Sequence, residues 1–346
     1  MKKYHVGIVG YGWAATAHLA AINGGTRGQV TRICSSRRLN AAELSAKHGT
    51  PLQTHTDFAE MLAAPDLQVI SICGYHDQHK AQAIAAARAG KHLIVEKPLA
   101  LSLADVRDIE REVKAAGVNF CICFELRFSS QFLATKALID AGQLGRLHYA
   151  EVDYYHGIGP WYREYEWCTT NAGCGSSLLA AGCHAMDALL LCLGPDVEEV
   201  FCYGVHSAHP VFAKYEYPST TTTLLKYRDG RVGKCASVID CWQPYYFHTH
   251  LVGSEGSLLD NKHHSNALHG DDRHRWKELP FKCVDSGDVA DHPYKTQFDA
   301  FFASLDRGQP MPLTGLADAV LAHEVIFAAE RSLQLGRPVK LAEVRG

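Results

Sequence analysis

The stretch His5-Val6-Gly7-Ile8-Val9-Gly10-Tyr11-Gly12-Trp13-Ala14-Ala15 decides the fold. Val6 to Val9 is a short run rich in β-branched residues. Residues 14–22 carry apolar positions at helical spacing, so a strand passes into a helix through a G-x-G-x-x-A turn. In that turn Gly10 permits the tight bend, Gly12 lets the backbone approach a pyrophosphate, and Ala15 keeps the helix close to the sheet. The unpaired N–H groups of the helix's first turn, from Trp13 and Ala14 onward, face the phosphates. A glycine loop alone says little. Placed after a first strand, it predicts a dinucleotide site if the chain continues as strand–helix units.

The chain does continue that way. Apolar β-like runs recur at residues 30–34, 69–73, 93–95 and 118–123, separated by helical segments at 39–48, 57–62, 79–89 and 103–115. Strands alternating with helices make βαβ units and a parallel sheet covered on both faces. This predicts an α/β protein whose residues 1–123 form a Rossmann doubly wound dinucleotide-binding domain. Residues 124–346 read as a second, substrate-binding and oligomerisation domain of α+β type. There, helices at 133–141 and 182–193 are followed by longer strands at 147–155, 197–205, 220–227, 232–242 and 248–253. Asp229-Gly230 between two alternating segments signals a hairpin, and hence an open, mostly antiparallel sheet. A last helix over 316–335 ends at Gly336, ahead of Pro338.

Composition narrows the function classes. Of 346 residues, 34 are Lys or Arg and 37 are Asp or Glu, so the formal charge is 34 − 37 = −3. That balance argues against a nucleic-acid partner, which a basic excess would favour. Two lysines precede the first apolar run, but it meets glycine at once and shows no cleavage site. No unbroken apolar run reaches about 18 residues, so no membrane partner is expected. A cytoplasmic, reduced setting follows, in which most of the 12 cysteines are small core residues rather than disulfides or metal ligands. The pair Cys121 and Cys123 sits in an apolar run and lacks zinc-site spacing, so no metal is predicted.

About 20 residues past the glycine loop, an NAD enzyme places an acid for the ribose 2′-OH. Here the chain reads Cys34-Ser35-Ser36-Arg37-Arg38. Hydroxyls beside a guanidinium suit a 2′-phosphate, so NADP is favoured over NAD, with Ser35, Ser36 and Arg37 as contacts. Further cofactor candidates follow the third apolar run, at Cys73, Gly74, His76 and His79. Glu96-Lys97-Pro98 then closes the fourth, at a carboxyl strand end, where doubly wound sheets bind ligands.

With these motifs in place the chain resembles the Gfo/Idh/MocA oxidoreductases, relatives of glucose–fructose oxidoreductase and inositol dehydrogenase. The resemblance spans nearly the whole chain: AGKHLIVEKPLA at 89–100, LGRLHYAEV at 144–152, GCHAMD at 182–187 and GSEGSL at 253–258. It implies that Lys97, matching the family lysine, polarises the reacting oxygen and also contacts the cofactor, with Glu96 beside it. His184 matches the family's proton-handling histidine. Many relatives carry an Asp four residues before that histidine; this chain has Ala180. Asp187, one turn after His184, is positioned by spacing to support it. The resemblance also implies a homodimer or homotetramer.

Substrate contacts are expected from Lys97, His184 and Arg127, the last matching a family arginine. His156, Trp161 and Arg163 lie in a Gly-rich aromatic stretch, and Tyr245 leaves a strand. Aromatic faces with scattered donors suit a sugar ring, though an oligomer contact explains the same aromatics. His263, His264, His269 and His274 read, with Asp271 and Asp272, as a solvated polar loop. The leading reading is an NAD(P)-dependent dehydrogenase moving hydride at a secondary carbinol of a sugar, polyol or glycoside. Lys97 polarises the oxygen and His184 is the general acid/base. The alternative is a lyase or glycosidase-like enzyme with tightly bound NAD and transient oxidation at sugar C3. A non-catalytic dinucleotide sensor is a third reading, against which the intact Glu96-Lys97-Pro98 speaks.

Overall fold

The computed structural model describes residues 3–268, 272, 274–284, 287–288 and 291–345. The chain divides into two units, Met1–Glu125 with His292–Val320 and Leu126–Asp291 with Leu321–Gly346.

In the first unit the elements run β1 (Tyr4–Val9), α1 (Trp13–Asn23), β2 (Gly28–Cys34), α2 (Ala41–His48), β3 (Gln53–His55), α3 (Phe58–Leu62), β4 (Val69–Ile72), α4 (His79–Arg88), β5 (His92–Val95), α5 (Leu103–Ala116) and β6 (Phe120–Ile122). Strand order is β3-β2-β1-β4-β5-β6, and every pairing is parallel. That order is the doubly wound dinucleotide-binding arrangement. The sequence explains it locally. All four residues of β4 are buried, as a strand covered on both faces requires. Helix α5 buries Val106, Ile109 and Val113, one stripe at helical spacing; Ser102 caps its start and Gly117 ends it in the left-handed region.

A later helix, Tyr294–Asp306, returns to this unit and lies on α1. The His18 ring is 4.8 Å from both Tyr294 and Phe298, and Phe301 and Phe302 are buried. The boundary expected at residue 124 does not register this return, because a helix's apolar stripe does not say which sheet it covers.

The second unit contains α6 (Ser130–Asp140), β7 (Leu147–Tyr155), α7 (Tyr165–Cys168), α8 (Asn171–Cys174), a π-helical turn (Leu178–Gly182), α9 (Cys183–Leu193), β8 (Val197–Val205), β9 (Thr220–Tyr227), β10 (Val232–Val238), β11 (Tyr246–Gly253), β12 (Gly256–Leu259), β13 (Lys262–Ser265), β14 (Lys277–Glu278) and β15 (Val339–Lys340). They form one sheet, β14-β13-β12-β11-β7-β10-β9-β8-β15. Among the described residues β7 and β10 are its one parallel pair. The Asp229-Gly230 turn joins β9 and β10 as expected, with Gly230 at φ +89°. The strand expected over 232–242 ends at Val238, and the remainder becomes a loop beside a pocket.

Helix α9 packs on β7 and β10. A methyl group on Gly182 would lie 2.5 Å from the Ser237 Cβ, so glycine lets the start of α9 press onto β10. The stretch Asn171–Leu193 is long and apolar enough by composition to cross a membrane, yet 89% of its apolar window is buried inside the protein. The sequence reading found no unbroken apolar run because Ser176, Ser177, His184 and Asp187 interrupt it. All twelve cysteines are free thiols, and the nine that are buried pack as small core residues.

Candidate active site

The glycine loop fits a dinucleotide phosphate. Gly10 sits at φ +94°, where a side chain is strained and where a Cβ would lie 2.7 Å from the Cys73 carbonyl oxygen. A Cβ on Gly12 would meet nothing within 4 Å, so the space above that backbone is open. Helix α1 begins at the next residue with no side-chain cap on its first N–H groups. An open approach to uncapped helix donors is an anion site. Ala15 is buried, while Trp13 is 41% exposed at the mouth.

At the end of β2, Ser35 is buried and its Oγ accepts from the Arg37 backbone N–H at 3.3 Å. Ser36 and Arg37 are exposed. The Arg37 guanidinium donates to the Tyr11 carbonyl at 2.6 Å, which lays its charge across the glycine loop.

At the end of β5 a buried polar network surrounds Glu96. Its Oε1 accepts from His18 Nε2 and from the Tyr294 hydroxyl, each at 2.8 Å, and its Oε2 accepts the Lys97 backbone N–H at 3.1 Å. His18 Nδ1 lies 2.8 Å from Ser71 Oγ and 3.3 Å from Cys73 Sγ. Burial opposes charge on both groups but is outweighed. Cys73 and Glu96 lift His18 to about 10, while His18 and Lys97 hold Glu96 down at about 2. Lys97 is half-buried, on a cis Lys97–Pro98 peptide. His79 braces this turn. Its Nδ1 faces the Pro98 carbonyl at 2.8 Å and its Nε2 the Gly74 carbonyl at 3.2 Å, so whichever ring nitrogen carries the proton donates to backbone. Burial pushes its pKa down. The neighbouring His76 ring is half-buried, 5.6 Å from His79.

His18 was missed in the sequence. Its only local signal is a histidine on the apolar face of α1, and a buried histidine needs partners. Its partners come from β4, β5 and the helix Tyr294–Asp306, which no local pattern announces.

In the second unit His184 is buried, at the second position of α9. The preceding π-helical turn holds Ala180, also buried; such turns recur at functional sites. Arg127, expected at the substrate, is 4% exposed and forks onto Asp187, Nε to Oδ2 at 2.6 Å and Nη2 to Oδ1 at 2.7 Å. Both oxygens of the carboxylate that spacing offered to His184 therefore accept from Arg127.

His156, Trp161 and Tyr245 do come together. With Gly157, Trp242 and Gln243 they line a pocket of about 440 Å³. His156 Nδ1 is 2.9 Å from the Tyr154 hydroxyl, and its ring stands edge-on, 5.0 Å from Tyr245. Trp161 and Trp242 face each other at 5.3 Å, 57% and 64% exposed. Arg163 is exposed on the same loop.

Two findings correct the reading of the spare histidines. His263 and His264 are not in a polar loop but in β13, with His263 buried. Asp272 and His274 are exposed, while His269 and Asp271 lie outside the described residues. Among the described residues, folding also assembles two ligand-type clusters that linear spacing does not show: His18–Glu96–Cys123, buried, and Glu151–His248–His250, half-buried on β7 and β11. In the second, the Lys234 ammonium already lies 3.3 Å from Glu151.

Residues 4–124 match the family model described as an oxidoreductase family with an NAD-binding Rossmann fold. Residues 132–259 match the GFO/IDH/MocA C-terminal domain. The chain belongs to the GFO/IDH/MocA family. As a GFO/IDH/MocA protein it is an oxidoreductase, and relatives with this architecture carry dehydrogenase names. It is 26% identical over 346 residues to myo-inositol 2-dehydrogenase of Thermotoga maritima, covering 99% of each chain. It is 26% identical over 290 residues to scyllo-inositol 2-dehydrogenase (NAD(+)) of Bacillus subtilis, covering 82% of this chain and 80% of that one. In fold it is similar to levoglucosan dehydrogenase solved with NADH and L-sorbose, at a TM-score of 0.82, 20% identity and 99% coverage of both chains.

Proposed function

We propose that this GFO/IDH/MocA oxidoreductase is a dehydrogenase of a sugar, polyol or glycoside that uses NADP in preference to NAD. The observation that carries the reading is the carboxyl edge of the first sheet. β1, β4 and β5 are neighbours there, so the open glycine loop after β1 and the Lys97 turn after β5 share one edge. Gly10, Gly12 and the α1 N-terminus would hold the pyrophosphate. Ser35, Ser36 and Arg37 would hold the 2′-phosphate, whose charge a guanidinium grips well. The nicotinamide, when bound, accepts the hydride of the carbinol carbon.

The protein's own groups handle the oxygen. Lys97, held at its backbone by Glu96, polarises it, and His184 is the general acid/base. The aromatic pocket of His156, Trp161 and Tyr245 suits the C–H face and hydroxyls of a ring substrate, and inositol dehydrogenases among the relatives favour polyols.

The test offers inositols, sugars and glycosides with each cofactor and follows the absorbance of reduced nicotinamide. Stoichiometric reduction, faster with NADP, is the expected result, and Lys97→Ala should cut turnover by roughly 10²–10⁴. Product formed without net cofactor reduction would instead establish a transient-oxidation mechanism. A fully active Lys97→Ala would remove that residue from the chemistry.

A further inference from the structure

Strands β7 and β11 pair antiparallel, with Glu151 directly opposite His250 and Asp153 opposite His248. Residues two apart on a strand share a face, so these four side chains stand together on one side of the sheet. Lys234 of β10, the register partner of Glu151, joins them. The other side carries α9: a Cβ on Gly233, next to Lys234, would lie 3.2 Å from Leu189 and Leu193 of that helix. His184 belongs to α9, so the sheet separates it from this cluster.

Glu151 Oε1 is the focus of the cluster. His248 Nε2 lies 3.1 Å from it and His250 Nδ1 3.7 Å, and the three candidate ligand atoms all lie within 4.8 Å of one another. Two histidines and one carboxylate are a recurrent zinc donor set, with bonds of about 2.0–2.2 Å, so a shift of about 1 Å or less in each side chain seats all three on one ion. The surrounding bonds favour that arrangement. His248 Nδ1 faces Asp260 Oδ1 at 3.3 Å, and that oxygen is itself fixed by the Thr249 N–H at 3.0 Å. A carboxylate behind one imidazole nitrogen keeps the proton there and leaves the other nitrogen's lone pair for a metal. Glu151 Oε2 accepts from the Tyr149 hydroxyl at 2.8 Å, which leaves Oε1 turned to the two rings. Lys234 does not take the ion's place: its ammonium is closest to Asp153 Oδ2, at 2.6 Å, and reaches Oε2 of Glu151, not Oε1, at 3.3 Å. With neutral imidazoles, the carboxylates of Glu151, Asp153 and Asp260 against one ammonium leave −3 + 1 = −2, the charge that a divalent ion balances.

We propose that Glu151, His248 and His250 bind a divalent transition-metal ion of the zinc class, with Asp260 orienting His248. Imidazole nitrogens select such an ion over Mg²⁺ and Ca²⁺, which take oxygen ligands. Three protein ligands leave a fourth position for water. The ion ties β7 to β11 on the side of the sheet away from His184, and the site is independent of the chemistry proposed for Lys97 and His184. Cysteine spacing predicts no metal, and it has no bearing here: strand pairing brings His248 to Glu151 across 97 positions.

The test titrates the chelator-stripped full chain with zinc chloride by calorimetry, with magnesium chloride as the comparison, and needs neither substrate nor cofactor. One zinc per chain is expected, with a Kd of about 1 μM or tighter, and no binding heat from magnesium over the same range. Saturating zinc should raise Tm, because it binds the folded chain. His248→Gln, His250→Gln and Glu151→Gln should each weaken zinc by more than about 100-fold, and Asp260→Asn by about 10–100-fold. His206→Gln, at an exposed histidine elsewhere, should leave the Kd unchanged. A parent protein that takes up no zinc overturns the site without recourse to any variant. Zinc held at full affinity by His250→Gln and Glu151→Gln, or magnesium bound as tightly as zinc, overturns it equally.

Discussion

His18 Nε2 donates to Glu96 Oε1 across 2.8 Å, with side chains 0% and 9% exposed. The bond ties the first helix to the turn that carries Lys97. Its stability contribution depends on pH in both directions. Glu96 is held at about 2 against 4.5 when unfolded, so its contribution is complete above 4.5 and is lost as pH falls toward 2. His18 is raised to about 10 from 6.5, so its contribution is complete below 6.5 and fades as pH rises toward 10. His18→Gln leaves a buried carboxylate without its cation and should cost about 3–5 kcal/mol in urea unfolding near pH 6. The difference from the parent protein should shrink at alkaline pH; a gap constant with pH would mean that His18 folds neutral.

Gly12 separates folding from binding. A methyl group there meets nothing within 4 Å, so Gly12→Ala should leave thermal stability within about 0.5 kcal/mol. The same methyl would stand where the backbone approaches the pyrophosphate, and cofactor Kd should rise at least about tenfold, near 1.4 kcal/mol. Unchanged binding by calorimetry would move the phosphates away from this loop.

The Arg37 guanidinium donates to the Tyr11 backbone carbonyl, and the side chain is otherwise exposed. Arg37→Ala should raise KM for NADP by roughly 10–100-fold, the scale of a charged hydrogen bond, and change KM for NAD little. Ser35→Asp should shift preference further toward NAD by placing a carboxylate at the ribose. Equal effects on both cofactors would show that the 2′ position is read elsewhere.

Arg127 and Asp187 are buried together, so Arg127→Met strands a carboxylate that is 0% exposed. A loss of about 3–5 kcal/mol is expected in urea unfolding. A variant as stable as the parent but with raised substrate KM would return Arg127 to the substrate-contact role that the sequence suggested.

How much was legible follows from where each residue's partners come from. The bounds of β7, β8, β9 and the helix Leu316–Leu335 agree with the sequence reading, because alternation and helical spacing are local. Gly10, Gly12 and Lys97 were legible because a phosphate loop and a strand-end turn carry their own residue types. β3 was not, being three polar residues that form a strand only because β2 offers an edge. The π-helical turn before His184 was hidden by an alanine- and leucine-rich run that suits an α-helix equally. His18 and His292 lie against carboxylates 78 and 167 positions away (96 − 18 and 292 − 125). No window of sequence contains both members of either pair.

The helix Tyr294–Asp306 lies on α1 but is synthesised after nearly all of the second unit. While the ribosome is still translating that unit, the strands of the first are already outside, with the α1 flank bearing His18 uncovered. The first unit to emerge therefore cannot be the first to finish. Its closure waits for residues 294–306, and a chain stalled before residue 294 exposes the apolar α1 flank of its nucleotide-binding half, the kind of surface that makes unfinished proteins aggregation-prone.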